Sequence, residues 1–136
     1  MAAIEVVLSW LRSRPDVSLR STEHSVAIEP HEPSGFHLEL IQRGAEHWTV
    51  YFEGWHEEFS SENGALRCLA FGLSEECRLR IERRGNIPVK WSVESREDGT
   101  WISDSEVGLF HPFFWRPRSV EYRSNRVFAT REPPAT

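Results

Sequence analysis

Two runs of strict apolar–polar alternation, joined by a short glycine-containing segment, constrain the fold of this chain more than any other feature. In Phe36-His-Leu-Glu-Leu-Ile, Phe36, Leu38 and Leu40 share one face while His37 and Glu39 take the other. In His47-Trp-Thr-Val-Tyr-Phe-Glu, Trp48, Val50 and Phe52 share a face and Tyr51 lies opposite them. A period of two marks a half-buried strand, because successive side chains of an extended backbone point to opposite sides. Arg43-Gly44-Ala45-Glu46 between them supplies a turn, so the two runs form an antiparallel hairpin.

The remaining elements arrange themselves around that hairpin. Ile4, Val7, Leu8 and Leu11 recur at helical spacing, which predicts an amphipathic helix over residues 2–13, ended before Pro15. Residues 24–29 read as a short strand. Ser60 or Ser61 caps a second helix running to about Glu76, with Ala65, Leu66, Leu69, Gly72 and Leu73 as its buried stripe. Residues 77–82 and 89–94 alternate again and form a second hairpin. Asp98-Gly99 is a turn signal before a strand at 100–103. The apolar stretch 107–114 reads as a further strand and 118–123 as the last.

Counting about three of the later candidates as full strands, the order is α-β-β-β-α-β-β-β, with no strand–helix–strand alternation. It predicts an α+β fold of two layers, one antiparallel sheet of about six strands with both helices on one face. The expected organisation is a single domain over residues 1–130 and a polar tail over 131–136. This order is loosely similar to secretion-chaperone-like domains and to small bacterial immunity domains. The likeness is one of topology, and no residue role transfers with it.

Composition narrows the function class. The 136 residues are 39% hydrophobic and 27% charged, with no apolar run near the ~18 residues of a spanning helix. A globular protein with no membrane span is expected, and the absence of a basic segment ahead of an apolar run argues against a secretory leader, so a cytoplasmic location follows. Fifteen of the sixteen basic residues are Arg, a bias typical of GC-rich bacterial genomes. A net charge of -5 argues against nucleic acid as a partner. The charge is uneven: residues 1–76 carry five basic and thirteen acidic side chains, residues 77–136 eleven and eight. The two halves are expected to interleave in one sheet and average the asymmetry; the alternative is complementary surfaces that favour self-association. Cys68 and Cys77 fall at a helix and a strand start, as small core residues.

Candidate sites are few. His37 and His47 point away from the apolar face on neighbouring strands, with Glu39 and Tyr51 beside them, and would line a ligand pocket or share a metal if brought close. No third ligand is apparent, and no metal or other cofactor is expected. Trp55-His56-Glu57-Glu58-Phe59, placed between strand and helix, lacks the second histidine of a zinc-protease motif. Nucleophile elbows and phosphate-binding glycine loops are absent. Arg78 and Arg80, with Arg83, Arg84, Lys90 and Arg96, form a basic outward face suited to an acidic partner or a phosphate, or else to cross-strand pairing with Glu39, Glu53 and Glu94. Leu109 to Arg118 concentrates Phe110, Phe113, Phe114 and Trp115 with Arg116, Pro112 and Pro117. These aromatics either close one edge of the core or form a contact surface, and prolines bar the segment from a central strand.

The reading that follows is a non-enzymatic protein-binding module, chaperone-like or immunity-like. Its partner would be another protein or itself as a homodimer. His37, Glu39, Tyr51, Arg78, Arg80, Phe113, Trp115 and Arg116 are its contact candidates. The alternative is a small-ligand-binding protein or hydrolase with a His/Glu-lined pocket between sheet and helix.

Overall fold

The computed structural model describes residues 2–134, so Met1 of the expected domain and residues 135–136 of the expected tail lie outside the described residues. Helix α1 spans Ala3–Leu11 and buries Ala3, Ile4, Val7, Trp10 and Leu11. Strands β1 (Val17–Ser21), β2 (Ser25–Pro30), β3 (Leu38–Gly44), β4 (His47–Phe52) and β5 (Trp55–Phe59) follow, each antiparallel to the last. The β3–β4 hairpin has the expected faces: Leu38 pairs with Phe52 and Leu40 with Val50, all fully buried, while Glu39 pairs with Tyr51 on the outer side.

Helix α2 (Glu62–Leu73) lies against β3, β4 and β5. Ser61 caps it, its hydroxyl accepting the Gly64 N–H at 3.0 Å. Ala65, Leu69, Ala70 and Leu73 are fully buried. Gly72 sets how closely the helix approaches the sheet: a Cβ there would stand 2.3 Å from Cζ of Phe52 and 2.9 Å from Leu38.

Strands β6 (Cys77–Arg84), β7 (Ile87–Glu97), β8 (Thr100–Gly108) and β9 (Arg118–Arg123) form a second antiparallel sheet in the order β8-β7-β6-β9. The fold is therefore α+β as expected, but with sheets of five and four strands instead of one of about six. The two strands missing from the sequence reading are β1 and β5. In β5, Glu57 occupies an inner-face position opposite Val50, so the segment shows no alternation, and the stretch expected between strand and helix is itself an edge strand. The expected averaging of charge also fails, because the acidic half builds the first sheet and the basic half the second. The expected strand over 107–114 is corrected too: β8 ends at Gly108, and Leu109–Pro117 crosses from one edge of the second sheet to the other.

Both helices and both sheets contribute to one buried cluster. Trp55 donates from Nε1 to the Ser105 hydroxyl at 3.2 Å, linking β5 to β8, and Gly54 lies under the Trp91 ring. Beyond β9 the chain returns to the core. Asn125, 3% exposed, accepts the Phe36 N–H at 2.8 Å and donates to the Gly72 carbonyl at 3.0 Å. The Val127 and Phe128 amides donate to the Leu73 carbonyl, and Phe128 meets Trp10 edge-on. Arg131, at the start of the expected tail, is held by Glu76 through its backbone N–H and its Nε.

Two substitutions test this packing. Gly72→Ala forces the helix off Phe52 and should cost about 2 kcal/mol in urea unfolding, within the range for overpacked cores. Asn125→Ala strands a buried amide and a buried carbonyl and should cost about 2 kcal/mol or more, read in the same way.

Candidate functional site

The outer face of the first sheet gathers three of the expected residues. His37, Glu39 and Tyr51 line a shallow depression of about 250 Å³ with Ile41 and Glu53. His37 Nδ1 is 2.5 Å from Glu29 Oε1, its Nε2 is 3.8 Å from Glu39, and its backbone N–H donates to Glu53 at 2.9 Å. The Tyr51 hydroxyl accepts from Arg43 at 2.8 Å. His47 is not part of this group. The hairpin register places it opposite Gly44, at the far end from Leu38 and Phe52, where it contacts Glu58 at 3.2 Å. The shared site expected of His37 and His47 is thus ruled out by register. Among the described residues no three His, Cys, Asp or Glu side chains are grouped to hold a metal ion.

Arg78 and Arg80 lie on the outer face of the second sheet, remote in topology from Glu39 and Glu53, so only the Glu94 pairing of the three expected is formed. Arg78 Nε donates to Glu94 at 2.6 Å. Its guanidinium also lies between two rings, 4.5 Å from the Trp101 centroid and 4.1 Å from that of Tyr122. The strand register explains this, since Arg78 pairs with Glu94, and Trp101 and Tyr122 occupy outward positions on β8 and β9 either side. Arg80 stands 3.8 Å from Glu82. Glu82 accepts Arg118 of β9 at 3.0 Å. Burial pushes the Glu82 carboxyl up, but the Arg118 hydrogen bond and the charges of Arg118, Arg80 and Lys90 outweigh it and hold the group below its ordinary value.

The aromatic segment does not close the core. Phe110 is fully exposed, and Leu109, Phe114 and Trp115 are 53%, 73% and 65% exposed. They are nonetheless ordered against one another. Phe113 meets Trp115 edge-on at 6.0 Å and Phe114 meets it at 5.7 Å. Arg116 lies over Phe113 at 4.9 Å and also against Gly85, while Gly85 N–H donates to the Pro117 carbonyl at 2.8 Å. The site residues therefore divide into His37, Glu39 and Tyr51 on one sheet, Arg78 and Arg80 on the other, and Phe113, Trp115 and Arg116 on the β8–β9 crossing.

A cavity of about 350 Å³ does lie between sheet and helix, lined by Trp55, Glu57, Cys68, Phe71, Asp104 and Arg131 among others. Neither His37, Glu39 nor His47 reaches it. Cys68 and Cys77 are free thiols, and burial pushes both far up, which leaves them protonated and poor nucleophiles. No protein-family model matches the chain, and no curated protein or solved structure matches it.

The Glu82 arrangement gives a pH signature. A carboxyl lowered by folding contributes stability that is present above its unfolded value near 4.5 and lost as pH falls through the lower folded value. Glu82→Gln should lower stability by about 1 kcal/mol at pH 7. Thermal melts of the two proteins should converge as pH is brought from 5 to 3.

Proposed function

We propose that this chain is a protein-binding module that docks a partner segment rich in apolar and acidic side chains on the β8–β9 crossing. The observation that carries the reading is the solvent exposure of Leu109, Phe110, Phe114 and Trp115 as neighbours on one nine-residue connection. Water around such a patch is released when a partner covers it, and contiguous apolar surface of this kind is characteristic of interaction sites. Aromatic and Arg side chains together are the usual anchors of such interfaces.

The rim selects the partner's chemistry. Arg84, Arg116 and Arg118 flank the aromatics, and the Arg84 guanidinium is held toward them by the Phe114 carbonyl at 3.4 Å. Acidic side chains on the incoming segment would find these guanidiniums at the edge of the apolar contact. Among the described residues strand β9 pairs only with β6, so its outer edge retains backbone groups able to receive an extended segment.

Peptides selected by display on the purified chain test this. They should combine aromatic or aliphatic anchors with Asp or Glu. Trp115→Ala should weaken them by roughly 30-fold, about 2 kcal/mol, while leaving the melting temperature within 1–2 °C of wild type. Unfolding on that substitution, or retention of binding in Phe114→Ala/Trp115→Ala, overturns the proposal. Light scattering at low and high salt separates a foreign partner from a second copy of the chain.

A further inference from the structure

The end of the second sheet remote from the aromatic segment holds a concentration of guanidiniums that the proposed docking surface does not use. A cavity of about 460 Å³ is lined by Arg78, Arg96, Arg123 and Arg126, together with the hydroxyl-bearing Ser34 and Ser124. Glu75 is the single carboxylate in its lining. Two of the arginines are fixed by carboxylates outside the lining: Arg78 by Glu94 at 2.6 Å and Arg123 by Glu121 at 3.0 Å. Arg96 and Arg126 have no carboxylate within 4 Å among the described residues. Against Glu75 alone, they leave the cavity with an uncompensated positive charge.

Three features make this a built site and not a chance crowding of long side chains. Arg78 is clamped between the Trp101 and Tyr122 rings, and the Arg96 guanidinium lies 5.8 Å from the Trp101 centroid. Stacked guanidiniums lose little freedom on gripping a ligand and keep their N–H edges free to donate. Arg123 keeps a buried Nε with no hydrogen-bond partner while one Nη donates to the Gly35 carbonyl. Arg126 has φ of +53°, a left-handed backbone that costs an arginine energy and suits glycine or asparagine. The strain sits beside the cavity, directly after the buried Asn125.

We infer that this cavity binds the phosphoryl group of a small phosphate monoester. A tetrahedral dianion takes several forked donors at once, which matches the guanidiniums of Arg78, Arg96 and Arg126 with the Ser34 hydroxyl, the Ser124 hydroxyl being spent on the Cys77 carbonyl. The volume accommodates such a group with a short organic substituent and lies in the usual range for small-molecule sites. An acidic protein segment would demand an extended groove of charges, whereas these arginines line a single concavity.

The experiment compares glycerol phosphate, inorganic phosphate, a tetraglutamate peptide and chloride at equal ionic strength, by thermal shift and calorimetry. Glycerol phosphate at about ten times its dissociation constant should raise the melting temperature by roughly 5 °C over chloride. Inorganic phosphate should compete for the same site, and tetraglutamate should not. Arg96→Gln should weaken binding at least tenfold. Arg126→Gly should do the same while leaving the ligand-free protein as stable as wild type or more so, because the left-handed strain is relieved. A structural role for Arg126 would move stability in the opposite direction. No shift with either phosphate, undiminished binding in the Arg96→Gln/Arg126→Gly protein, or a response to tetraglutamate alone overturns the assignment.

Discussion

The buried amide of Asn125 is the joint on which the two halves of the molecule depend. It reaches the loop ahead of β3 through Phe36 and the last turn of α2 through Gly72. Those two points lie in the first half of the chain, and Asn125 follows the last strand of the second sheet. Gly35 is matched to it as well, since a Cβ there would stand 2.8 Å from the Asn125 oxygen. A side chain that accepts on one atom and donates from another is needed: a carboxylate only accepts, and a hydroxyl carries both functions on a single oxygen. Around this joint the Val127 and Phe128 amides converge on the Leu73 carbonyl, so the end of α2 is finished by residues far along the chain.

The elements that were legible from sequence are those in which one face is buried and the other wet. The β3–β4 and β6–β7 hairpins, the Ser61 cap and the stripe of α2 all follow from that pattern. Strands β1 and β5 escaped because they are edges. Val17-Ser-Leu-Arg-Ser has one buried residue, and Trp-His-Glu-Glu-Phe places a glutamate on the inner side. The break into two sheets was equally invisible, since no local signal says whether strands on either side of a helix will pair. It depends on α2 and on contacts such as Trp55 with Ser105, which join residues 50 positions apart.

The candidate sites show the same division. The grouping of His37, Glu39 and Tyr51 follows from one hairpin, and a correct register was enough to separate His47 from it. Placing Trp101 and Tyr122 beside Arg78 required the strand order β8-β7-β6-β9, which pairs β6 with both neighbours. The aromatic segment stood out by composition, yet only the structure shows Phe110 and Trp115 facing water. Strand order thus assigns each sheet a different chemistry: acid and histidine outside the first, arginine and aromatic rings outside the second.

The contacts between α1 and the far end of the chain also govern how the protein is made. The Arg14 guanidinium donates to the Val127 carbonyl across 113 residues, and Phe128 packs on Trp10. At ribosomal speeds of about 5–20 residues per second, the helix waits roughly 6–23 s for those partners to be polymerised. Throughout that interval the indole of Trp10 lacks its aromatic neighbour and the last turn of α2 lacks the amides that finish it. Packing of α1 is thus finished only after both sheets have been synthesised, an order that dilution from denaturant does not impose.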